Sequence, residues 1–234
     1  MSAGAPRATA LDDAAAGLPT LLAALHLASP ALPVGGFAYS EGLETAIAQG
    51  LVADEAAAGT WIGDLLLHVL ARTEAPLWLR AYDAAAAADL PRLAALNDEL
   101  LALRETAELR AESQQMGASM WRLFPALGLA APALEPAAYV LAFACACAGL
   151  GVARSAGLAT YLWSWLENQV LVAVKSVPLG QQAGQRLLHA LRPLVAEAVA
   201  RAARCPDDAI GSGAFGFTLA CAAHEGQYSR LFRS

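Results

Sequence analysis

The chain has 234 residues, a formal net charge of −6, and only 15% charged residues, against roughly 25% in an average soluble protein. The length suits one compact domain and the abundance of alanine favours helix. The acidic balance and the scattered Lys and Arg residues exclude a nucleic-acid footprint. The low charge leaves two readings open: an alanine-biased composition, or a surface covered by partner proteins.

The first 17 residues, MSAGAPRATALDDAAAG, place one Arg ahead of Asp12 and Asp13 and lack a basic start followed by an apolar core. This is not the pattern of a secretory signal, and residues 1–17 are expected to be a flexible segment of a cytoplasmic protein. Periodicity predicts helices over 18–223, with no strand pattern anywhere. A first helix is expected near Leu18–Leu27, then an irregular stretch SPALPVGGFA. Ser40 is expected to cap a helix that reaches Gln49. Asp54 caps the next, with Trp61, Leu65 and Val69 along one face. Another starts near Glu74, with Pro76 in its first turn. Asp89 and Pro91 open a further helix toward Leu103. The next is expected over Glu105–Leu123, with Pro125 as its stop. The uncharged run Pro136–Ala153 is mostly Ala, Gly and Cys, which predicts a buried helix rather than a membrane span. Ser155–Val177 and Gln181–Arg204 read as long helices, ended by Pro178 and by Cys205-Pro206. The fold class is therefore all-α.

Three stretches carry polar or aromatic residues that a plain helical core does not require. In SPALPVGGFAYSEGLE, Pro30 and Pro33 hold the chain extended, and Gly35 and Gly36 admit unusual backbone angles. Phe37 and Tyr39 are either aromatics folded into the core or part of a partner-binding loop. No phosphate-loop motif is present. In YLWSWLENQVLVAVKSVPLGQQAGQ, Trp163 and Trp165 point to different sides of one helix, while Ser164, Asn168 and Lys175 fall roughly along one side. Gly180 and Gly184 allow close helix approach, and Gln181 and Gln185 form a polar ridge. A core role does not account for the amides or for Lys175. In HEGQYSRLFRS, Tyr228, Leu231 and Phe232 have the spacing of one face of a short helix, with Arg230 and Arg233 off it. Such a face docks into a groove of its own domain or of a partner. A fourth stretch, ESQQMG, signals nothing by itself. Cys145, Cys147, Cys205 and Cys221 form no metal-ligand spacing, and read as small buried residues.

LASPALPVGGFAYSEGLE, SQQMG, YLWSWLENQV, VKSVPLGQQAGQ and HEGQYSRLFRS, in this order, resemble the UreF family of urease accessory proteins. The matching segments run from about Leu25 to Ser234. Thr218 stands where the family pattern has an acidic residue, and Gly226 where Thr is frequent. The resemblance implies a non-enzymatic dimeric scaffold that joins a UreD/UreH-type protein and the nickel-binding G protein UreG on apo-urease. It implies no cofactor bound directly, with Ni2+ and GTP carried by the G protein. The partner-binding residues it implies are Pro33, Gly36, Phe37, Tyr39, Ser40, Glu41, Lys175, Gln181, Gln185, His224, Glu225, Tyr228, Arg230, Leu231 and Phe232, with residues 224–234 as the docking segment. A second reading is that the protein regulates the UreG GTPase, as an activator or a restrainer. A hydrolase lacks its nucleophile context here.

Overall fold

The computed structural model describes residues 17–234. All of the segment expected to be flexible, except Gly17, lies outside the described residues. The described chain contains ten α-helices and no strand. They are α1 (Leu18–Ala28), α2 (Leu43–Ala48), α3 (Glu55–Asp64), α4 (Glu74–Ala86), α5 (Leu90–Ala102), α6 (Ala107–Leu123), α7 (Tyr139–Gly149), α8 (Arg154–Ser176), α9 (Gln181–Ala203) and α10 (Phe215–Glu225).

Helix starts follow local capping chemistry. The Asp54 carboxylate accepts the Ala57 N–H at 2.8 Å, and Asp89 accepts the Arg92 N–H at 3.0 Å. Each satisfies one of the amides that a helix start leaves unpaired. Thr106 caps α6 through the Leu109 N–H at 3.2 Å, and the helix begins at Ala107, two residues after the start expected from the sequence. After α3 the chain continues through a π turn at Leu65–Val69 and a 3₁₀ turn at Leu70–Arg72. Leu65 and Val69 are buried there, whereas Trp61 is only partly so.

The alanine-rich helix α7 is the centre of the core. Every residue from Val140 to Cys147 is buried, and α4 and α6 pack closely on it. Small residues let these helices approach. A Cβ on Gly117 of α6 would lie 2.1 Å from the Ala137 carbonyl oxygen, so only glycine fits. Gly184 plays the same part between α9 and α8, where a Cβ would meet Val174 at 2.9 Å. Gly180 has open space around it and serves no such approach. On α8, Trp165 is buried and Trp163 is partly exposed. Among the described residues, no helix is long and apolar enough to cross a membrane.

Candidate partner-binding site

The segment after α1 does not fold as its sequence suggests. Ser40 does not cap α2, which starts at Leu43 after Gly42, a left-handed residue with φ 75°. Glu41 is also left-handed, at φ 49°, an uncommon state for a residue with a side chain. These two residues turn the chain so that Ser40 faces the other end of the protein. The Ser40 amide donates to the Ser234 carbonyl oxygen at 2.8 Å, and the Ser40 hydroxyl donates to the same oxygen.

The C-terminal tail is therefore strapped to its own domain. The Arg233 N–H donates to the Ala38 carbonyl at 2.8 Å. Glu44 of α2 accepts the Leu231 and Phe232 N–H groups at 2.6 and 3.1 Å. The Ser234 hydroxyl donates to Glu112 of α6 at 2.6 Å, and Arg230 pairs with Glu108 at 2.5 Å. These partners replace the carbonyls of a helix. The expected short helix over Tyr228–Phe232 is absent, and its three apolar residues do not share a face. Phe232 is buried, with the Lys175 ammonium 5.8 Å from its ring centroid. Tyr228 and Leu231 are exposed.

Three further links draw the segments together. The Tyr39 hydroxyl donates to Gln115 at 2.9 Å, within the SQQMG stretch. Asn168 of α8 donates to the Tyr39 carbonyl at 3.1 Å, and the Trp165 indole N–H donates to Glu41 at 3.0 Å. All four stretches singled out in the sequence thus meet at one place. Gln181 and Gln185 do not join them: they line an open surface depression with Gln182 and Arg186.

Beneath this junction lies a cavity of about 100 Å³, lined in part by Glu41, Glu74, Arg104, Glu112, Tyr161 and Trp165. The Arg104 guanidinium pairs with Glu74 at 2.5 Å, and the Tyr161 hydroxyl donates to the same carboxylate. Burial and the neighbouring Glu74 charge push the Glu41 carboxyl up to about 7. Burial, followed by repulsion from Glu41, holds Glu112 well above the usual carboxylate range. Desolvation disfavours the charged form, and one arginine cannot neutralise three acids. Among the described residues, no group of three or more His, Cys, Asp or Glu side chains is arranged to hold a metal ion.

The residues implied as partner contacts divide into two sets. Tyr39, Ser40, Glu41, His224 and Phe232 are buried against the chain's own groups. Pro33, Phe37, Lys175, Gln181, Gln185, Glu225, Tyr228, Arg230 and Leu231 are exposed, and Gly36 is half-buried. Sequence reasoning missed Glu108 and Arg104, which hold the junction together. It also missed Phe215 and Leu219, which lie one turn apart on α10 and are 79% and 70% exposed. Their four-residue spacing was the available signal.

A model of the UreF family matches residues 52–192. The chain is 50% identical over 223 residues to the urease accessory protein UreF of Pseudomonas fluorescens, covering 91% of this chain and 98% of that one. It is 51% identical over 221 residues to the urease accessory protein UreF of Azotobacter vinelandii, again covering 91% and 98%. It is also 49% identical over 225 residues to the bifunctional urease accessory protein UreEF of Bordetella bronchiseptica, covering 92% of this chain and 52% of that one. An all-helical fold, the junction of the family-like segments and this level of identity agree, and the chain belongs to the UreF family of urease accessory proteins, which are not enzymes.

Proposed function

We propose that this chain is the scaffold of a urease-maturation complex. It joins a UreD/UreH-type protein to a nickel-binding UreG-type GTPase on apo-urease, acting as a homodimer in the cytoplasm. Nickel and GTP travel with the G protein, and this chain contributes surface. One observation carries the reading: α10 and the tail present Phe215, Leu219, Tyr228 and Leu231 to solvent, each at least 70% exposed. Large apolar side chains left in solvent on one helix and on the terminal segment that follows it favour burial against a partner. Burying each one contributes roughly 1.5–3 kcal/mol before ordering costs. We assign these four side chains to contacts with the UreD/UreH-type partner. Lys175, Gln181 and Gln185 offer polar contacts for the G protein, and Pro33 and Phe37 extend the surface around the junction.

The test is co-purification of this chain with a UreD/UreH-type and a UreG-type protein, followed by activation of apo-urease with nickel. A complex containing all three, with activation that depends on this chain, is expected. Full activation without this chain, or failure of the two partners to co-purify through it, would overturn the proposal.

A further inference from the structure

His224 is fully buried, and both of its ring nitrogens face carboxylates. Nδ1 lies 2.7 Å from Glu108 Oε2, and Nε2 lies 3.3 Å from Glu44 Oε2. A neutral imidazole has one N–H and one lone pair, so it can donate to only one of them. The other contact would set a lone pair against a carboxylate oxygen. Both carboxylates are already acceptors: Glu44 takes the Leu231 and Phe232 amides, and Glu108 takes the Arg230 guanidinium. With both carboxyls ionised, both histidine contacts are attractive only when the ring carries two protons.

We propose that His224 is a proton-operated latch for the C-terminal tail. With two ring protons it bridges Glu44 on α2 and Glu108 on α6, and the tail is held down. With one proton, a lone pair faces one carboxylate, the contacts around Glu44 and Glu108 slacken, and the segment from Arg230 to Ser234 is released. The coupling is direct because Glu44, which faces the ring, also binds the tail backbone.

The charged groups around the ring are accounted for on every side. α2 contributes Glu44 and α6 contributes Glu108. The tail contributes Arg230, whose charge is taken up by the second oxygen of Glu108. The next residue on α10, Glu225, accepts the N–H groups of Ala107 and Glu108 at 3.1 and 3.3 Å, so its carboxylate is engaged at the start of α6. One turn earlier on α10 is Cys221, a buried thiol that burial and then Glu41, Glu105 and Glu112 hold above its usual range. Arg104 acts on that same thiol in the opposite direction. With two ring protons, the four groups His224, Arg230, Glu44 and Glu108 carry two positive and two negative charges. Loss of one proton leaves the set with a net negative charge. The inference rests on the fold and not on the identity of any partner.

The experiment uses the full-length chain, uniformly labelled with 15N. Ring 15N shifts report the protonation of His224, with exposed His26, His68 and His189 as references in the same spectrum. Amide exchange at Leu231 and Phe232, corrected for the intrinsic pH dependence, reports whether the tail is seated. Both ring nitrogens should be protonated while these amides are protected. Protection should fall by about tenfold per pH unit as His224 loses its proton, the slope of one linked proton. Protection at Phe143, in the core, should follow only the change in global stability measured by urea denaturation at the same pH values, and so should not show the additional His224-linked slope. His224→Gln removes the His224 contribution, so the tail-protection slope in that variant should be shallower by one proton, and any slope that remains belongs to Glu41 and Glu112, which lie at the Ser40 and Ser234 end of the tail. A tail that stays protected after His224 loses a proton, or a wild-type slope in His224→Gln, would overturn the latch.

Discussion

Replacing Glu41 with Gln should stabilise the protein, and by more at higher pH. The side chain is buried over the cavity with Glu74, Glu112 and Arg104 around it, and the Trp165 indole donates a hydrogen bond to it. A Gln oxygen can keep that bond without the charge. Burial and the Glu74 charge raise the Glu41 carboxyl from 4.5 to about 7. An acid raised in this way binds more protons folded than unfolded, so stability falls as pH rises between those two values. The effect is absent well below the lower value and complete above the higher one. Linkage across that interval gives Glu41→Gln a gain on the order of 3 kcal/mol at pH 8, shrinking to about 1 kcal/mol at pH 5. Glu112 is coupled to the same charge, so the measured curve belongs to the pair. Urea denaturation of both proteins at several pH values reads the difference directly. Equal stability at pH 8, or a difference that does not change with pH, would refute the account of the cavity.

Gly117→Ala drives a methyl group into the Ala137 carbonyl and should cost about 3 kcal/mol or more, seen as a lowered thermal midpoint; a loss below about 0.5 kcal/mol would show that α6 and α7 can separate freely. Asp54→Ala removes the cap of α3 and should cost about 1 kcal/mol by denaturant titration without changing the fold. Lys175 is exposed and its ammonium lies 5.8 Å from the Phe232 ring centroid, so Lys175→Ala should leave helix content unchanged in circular dichroism while weakening recruitment of the UreG-type protein in a pull-down.

Helix positions were largely legible in the sequence because their signals are local. Asp54, Asp89, Pro76 and Pro178 each act on neighbouring residues, and the boundaries they set differ little from those observed. The junction was legible only as separate pieces. SPALPVGGFAYSEGLE and HEGQYSRLFRS each stood out and SQQMG signalled nothing by itself, but the bonds that unite them span long stretches of chain, as from Ser40 to Ser234. Local spacing also misled. Ser40 has the chemistry of a helix cap, yet its hydroxyl and amide are claimed by the tail. Tyr228, Leu231 and Phe232 have helical spacing, yet Glu44 takes the amides of the last two. His224 carried no sign of burial in the sequence, since its two acidic partners lie on other helices.

The central claim is that the exposed apolar side chains of α10 and the tail recruit the UreD/UreH-type partner. The direct measurement is the affinity of that partner for the paired variant Leu219→Asp, Leu231→Asp, by titration calorimetry. Both residues are at least 70% exposed, so the variant should unfold at the wild-type urea concentration. The account predicts a loss of affinity of at least about 100-fold, from the burial of two leucines at roughly 1.5–3 kcal/mol each. Wild-type affinity in a correctly folded variant would contradict it.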